Sequence, residues 1–334
     1  MLKVVVVGTG VMGCLHLNTW SHQSGVKIVG IIGRNNEKRD ELAETYACGS
    51  LETLQELLNV DVDVIDICLP TYLHEESIKE ASKYCKHIIC EKPLALNVDS
   101  CRSIIDVCKE QKIQLFVGQV LRFFPEYVDA WRKVKEGAIG EPGVVRLSRG
   151  APFPRGKDAW YGDQSKSGGV ILDLGIHDFD WLRWTFGEVE RVMARKKVII
   201  RENHPIEYAL VMLRMTNGTI AHVELSWSKL EFEASFELAG KKGMISYNSN
   251  ESKPIQMQLL EEEKELLPLI VPTSILERSP LDRQLAHFKE CIEKGEEPIV
   301  SYNDALKSVE IAEAAITSVR LGKPVFLKQS EVLK

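Results

Sequence analysis

The stretch LKVVVVGTGVMG at residues 2–13 constrains the fold more than any other part of the chain. Leu2–Val7 is a valine-rich run of the kind that fills a parallel strand covered on both faces. It leads directly into Gly8-Thr9-Gly10-Val11-Met12-Gly13 and then into helical periodicity to about Ser21. In that setting the glycines have separate duties. Gly8 permits a tight turn, Gly10 lets the backbone come close to a pyrophosphate, and Gly13 lets helix and strand pack closely. The helix N-terminus then turns its unsatisfied N–H groups toward the phosphates. A GxGxxG alone is weak, but between an apolar strand and a helix it is specific, so Gly8 to Gly13, with Thr9, Val11 and Met12 among them, are expected to bind a dinucleotide.

Strand and helix patterns alternate through the first third, which argues for a parallel sheet built from βαβ units. Val26–Gly33 reads as the second strand, followed by Arg34-Asn35-Asn36 and a helix to about Tyr46. Folds of this kind that select NAD generally end this strand in Asp or Glu, whereas a nearby arginine accommodates a 2′-phosphate. Gly33 stands where the acid is expected and Arg34 follows it, which leans toward NADP over NAD. Arg34 stacked on an adenine ring would serve either cofactor. Val62–Leu69 reads as the third strand, ending at Pro70-Thr71 before a helix from about Leu73 to Tyr84 with His74 near its start. His87–Cys90 reads as the fourth and stops at Glu91-Lys92-Pro93. Strand ends of open α/β sheets line the ligand crevice, which makes Leu69, Pro70, Thr71, His74, Glu91 and Lys92 cofactor-binding candidates. The proline forces an extended or cis-linked backbone that aims Lys92, whose ammonium can hydrogen-bond a substrate hydroxyl and favour its ionisation. Helix Val98–Glu110, strand Ile113–Gly118 and Gln119–Phe123 close the domain, and Gln119 at the strand end is a further cofactor candidate.

A chain of 334 residues exceeds one ordinary core, and 44% hydrophobic residues supply enough for two. The formal net charge of -6, with no basic run interleaved with aromatics, argues against a nucleic-acid partner. Glycines interrupt the apolar start, and neither a basic leader nor a small-residue cleavage site accompanies it. It therefore reads as a strand and not a signal peptide, so no membrane partner is expected and the mature chain is expected to begin here. The eight cysteines form no CxxC pair, and seven fall in the first third amid apolar or helical surroundings. They read as reduced core thiols of a cytoplasmic protein, with neither disulfides nor a metal site.

The chemistry falls on Ser167–Gly187, SGGVILDLGIHDFDWLRWTFG. Read as one helix, its apolar residues form one stripe, while Asp173, His177, Asp180 and Trp181 fall on a neighbouring one. An aspartate one turn before a histidine can orient the imidazole or share a proton with it, as a general base requires.

GTGVMG, Glu91-Lys92-Pro93, RFFP at Arg122–Pro125 and SGGVILDLGIHDFDWLRW together resemble the glucose–fructose oxidoreductase, inositol dehydrogenase and rhizopine-catabolism (Gfo/Idh/MocA) family across essentially the whole chain. The resemblance implies an α/β Rossmann domain at residues 1–122. It also implies an α+β domain at residues 123–334 with a large open, mostly antiparallel sheet, the C-terminal helices being free to pack back on the first domain. It implies a homodimer or homotetramer assembled through that sheet. It implies hydride transfer between a nicotinamide cofactor and a secondary alcohol of a sugar, cyclitol or related polyol. Lys92 matches the family's lysine, Asp173 its aspartate and His177 its histidine base. On this reading His177 takes the hydroxyl proton, Lys92 stabilises the developing alkoxide and Asp173 positions substrate and imidazole. The three would meet across the cleft between domains. Gly33 departs from the acid that many members carry, which leaves NADP and NAD both open.

In the second half, strand patterns recur at Gly143–Arg149, Val189–Ile200, Glu207–Met215, Thr219–Lys229, Phe232–Ala239 and Met244–Tyr247, and they suggest a meander. A single helix cannot cover one face of so broad a sheet, so a subunit interface is expected there. The loop Ala151–Tyr161 carries Arg155, Asp158, Trp160 and Tyr161, which can offer a polyol hydrogen bonds or a stacking face. With Arg122, Lys92, Asp173 and His177, its Arg155, Trp160 and Tyr161 make up the substrate candidates. Helices are expected at about Pro280–Lys294 and Asn303–Leu321, and EEEKE at 261–265 reads as a solvated strand end or turn. Two other classes compete with a dehydrogenase: an enzyme that cleaves glycosides through transient use of its nicotinamide, and a non-catalytic NADP and sugar sensor. The complete Lys92, Asp173 and His177 set disfavours the sensor.

Overall fold

The computed structural model describes residues 1–154, 157–201, 204–251, 255–259 and 278–327. The chain forms two compact units, residues 1–123 with 278–306 and residues 124–277 with 307–334.

In the first unit, β1 (Leu2–Val7), β2 (Val26–Ile32), β3 (Gly49–Leu51), β4 (Val64–Ile67), β5 (His87–Cys90) and β6 (Gln114–Val117) make one sheet in the order β3-β2-β1-β4-β5-β6. Every pairing is parallel. The helices between them are α1 (Val11–His22), α2 (Asn36–Thr45), α3 (His74–Ala81) and α4 (Val98–Gln111). Val4, Val5, Val6, Ile65, Ile88, Ile89 and Phe116 are fully buried, as continuous apolar strands covered on both faces should be. Strand order reverses between β1 and β4, the position at which open sheets of this kind bind ligands. The ladder carries its register past the strand ends: Gly8 N–H donates to Ile32 O, Cys68 to Val7 O, Glu91 to Ile67 O and Gly118 to Cys90 O, all within 3.0 Å. β3 was not expected from sequence. Its three residues are too few to show a period, and pairing with β2 alone defines it.

A later segment completes this unit. α9 (Pro280–Lys294) starts at a capping box between Ser279 and Asp282, and its Phe288 ring lies 5.1 Å from that of Phe116. α10 (Tyr302–Leu321) spans the residues at which the chain passes into the second unit.

The second unit opens with α5 (Pro125–Lys135), an amphipathic helix missed by the sequence reading, and β7 (Pro142–Pro152). Then come α6 (Gln164–Ser167), α7 (Gly169–Asp173) and α8 (Gly175–Phe186). β8 (Val189–Arg201), β9 (His204–Met215), β10 (Ile220–Ser226), β11 (Ser228–Gly240), β12 (Gly243–Asn248), β13 (Ile255–Leu259) and β14 (Val325–Phe326) follow. The sheet order is β13-β12-β11-β7-β10-β9-β8-β14. Its pairings are antiparallel except β10 with β7. This corrects the expected meander. β10 and β11 are consecutive in sequence, yet β7 lies between them, its end bracketed where Gly150 pairs Ser226 and Pro152 pairs Ser228. Alternation of apolar residues marks a strand and its inward face but carries no information about which neighbour it pairs with.

One sheet face is packed. Val145, Leu147, Val192, Ala209, Val211, Leu213, Ala221, Val223, Leu225, Phe236 and Leu238 are buried, and α8 lies against β10 closely enough that a Cβ on Gly175 would stand 2.7 Å from Leu225 Cδ1. The opposite face exposes Tyr208, Leu210 and Met212 of β9 beside Arg146, Ser148, His222, Glu224 and Glu237. Residues 261–265 lie outside the described residues. No described helix is long and apolar enough to cross a membrane.

Candidate active site

The turn after β1 admits no side chain at two of its glycines. Gly8 has φ +122°, and a Cβ there would fall 2.3 Å from Cys68 O; on Gly13 it would fall 1.9 Å from Gly8 O. Gly10, the residue before α1, has nothing within 4 Å of where its Cβ would stand among the described residues, and no acid occupies the first turn of α1. Val11 and Met12 are exposed beside it. Open space over a helix start whose N–H groups lack a side-chain cap suits the pyrophosphate of a dinucleotide. Thr9 borders Gly33, where a Cβ would stand 2.5 Å from its Cγ2, and Arg34 is exposed. Sequence reasoning missed Arg39, which is buried behind this turn. Its guanidinium donates to Ser50 Oγ at 2.7 Å, Asn36 Oδ1 at 3.1 Å and Gly33 O at 3.4 Å, and so holds the segment that carries Gly33 and Arg34.

At the ends of β4 and β5, Leu69 and Pro70 are half-buried and Thr71 is buried. His74 is fully buried and joins the two ends, with Nδ1 2.8 Å from Pro93 O and Nε2 2.9 Å from Leu69 O. Burial pushes this ring below its ordinary pKa against the pull of those carbonyls, so the neutral form donates to one of them at a time. The Lys92–Pro93 bond is cis, one of the two backbone forms expected at this tripeptide. Lys92 is half-buried, and its N–H donates to Oε2 of buried Glu91 at 3.2 Å. Gln119 and Gln284 are buried with neither amide atom paired among the described residues. Arg122 is also buried and donates to Ile299 O at 2.8 Å. Its Nη1 lies 3.4 Å from Asp304 Oδ2.

In the second unit, the expected single helix over 167–187 is interrupted. Gly168 and Gly169 have φ of +72° and +69°, and α7 ends at Asp173 before α8 begins at Gly175. The interruption is held by buried groups. Glu207 of β9 accepts from Val170 N–H at 2.8 Å, Gln164 Nε2 at 2.8 Å and Lys196 Nζ at 3.2 Å. A Cβ on Gly169 would fall 2.5 Å from its Oε2. Asp173 is thereby buried at the end of α7, and His177 is half-buried in the first turn of α8. The break between α7 and α8 takes Asp173 off the helix that carries His177, Asp180 and Trp181, and of the four only His177 is partly exposed, which corrects the expected polar stripe. Asp180 and Trp181 are about fully buried, Asp180 accepting from Ser308 Oγ and Trp181 donating to Tyr127 O.

Directly after His177, Asp178 receives Arg149 in a two-pronged ion pair with both contacts at 2.8 Å, and Arg149 also donates to Tyr127 Oη at 2.9 Å. Burial disfavours the Arg149 cation, but Asp178 and Tyr127 more than offset it and hold the guanidinium above its ordinary pKa. Trp160 and Tyr161 are half-buried and stacked, with centroids 3.9 Å apart. Arg155 and the side chain of Asp158 lie outside the described residues. Lys92 and the cofactor candidates thus belong to the first unit, and Asp173, His177, Trp160 and Tyr161 to the second.

The model of an oxidoreductase family with an NAD-binding Rossmann fold, GFO/IDH/MocA, matches residues 2–119, and that of the GFO/IDH/MocA C-terminal domain matches residues 127–246. The scyllo-inositol 2-dehydrogenase (NAD(+)) of Bacillus subtilis is 28% identical over 339 residues, covering 98% of this chain and 96% of its own. The myo-inositol 2-dehydrogenase of Thermotoga maritima is 26% identical over 336 residues, 98% of this chain and 99% of its own. Among solved structures, a levoglucosan dehydrogenase in complex with NADH and levoglucosan shares the fold with a TM-score of 0.88, over 98% of this chain and 100% of its own, at 23% identity.

The ion pair beside His177 makes a stability prediction. Asp178→Ala leaves a buried guanidinium uncompensated and should cost about 3–5 kcal/mol in urea unfolding, whereas Arg149→Met with Asp178→Leu together should recover most of that loss. A single variant as stable as the parent would contradict the burial of this pair.

Proposed function

The chain belongs to the Gfo/Idh/MocA oxidoreductases, which act on CH–OH groups with NAD(P), and on that footing we propose that its substrate is a secondary alcohol of a sugar, cyclitol or related polyol. The observation that carries this reading is the presence of Lys92, Asp173 and His177 alongside a glycine turn whose open, uncapped helix start suits a dinucleotide. The inositol substrates named for the relatives above support it. Gly8 to Gly13, Gly33 and Arg34, Leu69 to Thr71 with His74, and Glu91, Lys92 and Gln119 would hold the dinucleotide. When bound, the nicotinamide supplies the acceptor for the hydride of the alcohol carbon. His177 takes the hydroxyl proton on its imidazole, Lys92 Nζ donates to the oxygen as negative charge develops there, and Asp173 orients substrate and imidazole. Arg122, Arg155, Trp160 and Tyr161 complete the polyol-binding set. Eight free thiols suit a reducing cytoplasm.

Reduction of added dinucleotide against a panel of polyols tests the activity itself, and silence with every polyol would overturn it. Lys92→Ala and His177→Ala should each lower turnover by ~10²-fold or more while dinucleotide affinity stays nearly intact. Oxidation should quicken as pH rises through neutrality, because the reaction releases a proton and needs the base unprotonated.

NADP is the preferred cofactor on this reading, since Gly33 leaves no carboxylate to repel a 2′-phosphate and Arg34 follows it. Titration should show tighter binding of NADP(H) than NAD(H). Gly33→Asp should move the preference toward NAD, provided that the Thr9 side chain turns away from the new Cβ.

The exposed face around Tyr208, Leu210 and Met212 is the proposed interface of a homodimer or homotetramer. Light scattering should then give a multiple of 37.7 kDa, and a stable monomer would count against it.

A further inference from the structure

Glu91, next to Lys92, joins a set of buried side chains of which His16 and Asp66 have no part in the proposed chemistry. His16 of α1 and Asp66 of β4 are both 0% exposed. His16 Nδ1 is 2.8 Å from Asp66 Oδ2, and its Nε2 is 3.2 Å from Glu91 Oε1. Trp20 Nε1 donates to the same Asp66 oxygen at 2.7 Å. Glu91 turns its other oxygen to the Lys92 N–H. A ring with a carboxylate oxygen at each nitrogen satisfies both only by donating from both, which makes it an imidazolium.

The groups facing it are consistent with that form. Just beyond β4, the Cys68 thiol is pushed up to about 12, chiefly by burial, and so keeps its proton beside Asp66. From β5, the Cys90 thiol is likewise pushed well above its ordinary value by burial and keeps its proton beside Glu91. His74, the other titratable ring near Glu91, is held toward neutral by burial. Burial alone would discharge His16, but Asp66 and, after it, Cys68 act the other way, and the ring stands well above its ordinary pKa. His16, Asp66 and Cys68 also lie close enough together to suggest a metal site. Within this group the ring and the thiol meet different oxygens of Asp66: Oδ2 faces His16 Nδ1 and Trp20 Nε1, and the Cys68 thiol lies 3.7 Å from Oδ1, so hydrogen bonds among the described side chains account for each contact.

We propose that His16, as an imidazolium clamped between Asp66 and Glu91, is a positioning residue that orients Glu91 and through it the backbone of Lys92. This rests on the dehydrogenase reading for its catalytic consequence but not for its geometry. The glycine beyond β6 leaves room for the arrangement, since a Cβ on Gly118 would stand 2.8 Å from Glu91 Oε1. The sign of the pH effect follows from the raised pKa. The stabilisation from this clamp is complete below the ordinary histidine range and is lost only as pH rises through the elevated value.

Two NMR readouts and one kinetic readout, all on the full chain, test it. Nitrogen-resolved NMR of the imidazoles should show both His16 nitrogens protonated at mildly alkaline pH, and a neutral ring there would overturn the clamp. In the same spectra the Lys92 amide should shift in His16→Gln, and an unmoved amide would overturn the link to Lys92. Neither NMR readout needs turnover, so a failure of the dehydrogenase reading, seen as an inactive parent, stays distinguishable. With an active parent, His16→Gln should lower kcat by about tenfold or more while KM for the dinucleotide changes less than about threefold. Unchanged kcat in the folded variant sinks the proposal. Should His16→Gln not fold, Glu91→Gln keeps the shape and removes the charge, and the same fall in kcat is expected of it.

Discussion

Backbone touches backbone where Gly13 meets the Gly8 carbonyl, at a distance that leaves no space for a side chain, and much of the first unit follows from that contact. It seats the first turn of α1 against the end of β1 and brings Gly8 against Cys68 at the end of β4. The ends of β1 and β4 are thereby tied to one helix start, whose N–H groups open onto space at Gly10 that no described residue fills. The same seating fixes the helical face that descends onto the sheet. His16 lies one turn beyond Gly13 and Trp20 one turn further, and both are fully buried where they reach Asp66. A larger residue at position 13 would lift α1 and withdraw the phosphate-facing N–H groups and the Asp66 donors together.

Buried charge recurs wherever a segment bearing proposed chemistry must be held. Glu91 next to Lys92 meets His16, Asp178 next to His177 meets Arg149, and Glu207 fastens the start of α7 before Asp173. Such groups add little net stability, because desolvation consumes most of the attraction. Their effect is on geometry. A buried carboxylate that must accept two or three directed N–H donors tolerates few alternative placements of the backbone offering them. The glycines at 118, 169 and 175 complement this by letting a carboxylate or a strand approach the chain where any Cβ would intrude.

The parallel sheet was legible from residues 2–118 because each of its longer strands is a short apolar run closed by glycine, proline or a charged tripeptide, signals that are local in sequence. The Lys92, Asp173 and His177 candidates were legible for the same reason, each lying within a compact motif. What escaped notice depends on partners far along the chain. His16 and Asp66 are 50 residues apart and Glu207 lies 37 beyond Val170, so neither cluster shows in any window of sequence. β7 between β10 and β11, the three-residue β3 and the buried places of Asp180 and Trp181 were likewise decided by packing. Periodicity states which face of an element is apolar, whereas the neighbour that covers it is chosen only when distant elements assemble. The sequence by itself therefore determined the glycine turn, the strand ends and the residue types at the candidate site. Only the tertiary structure decided which buried charges hold them, since a hydrogen bond across the fold depends on distance in space and leaves no trace in spacing along the chain.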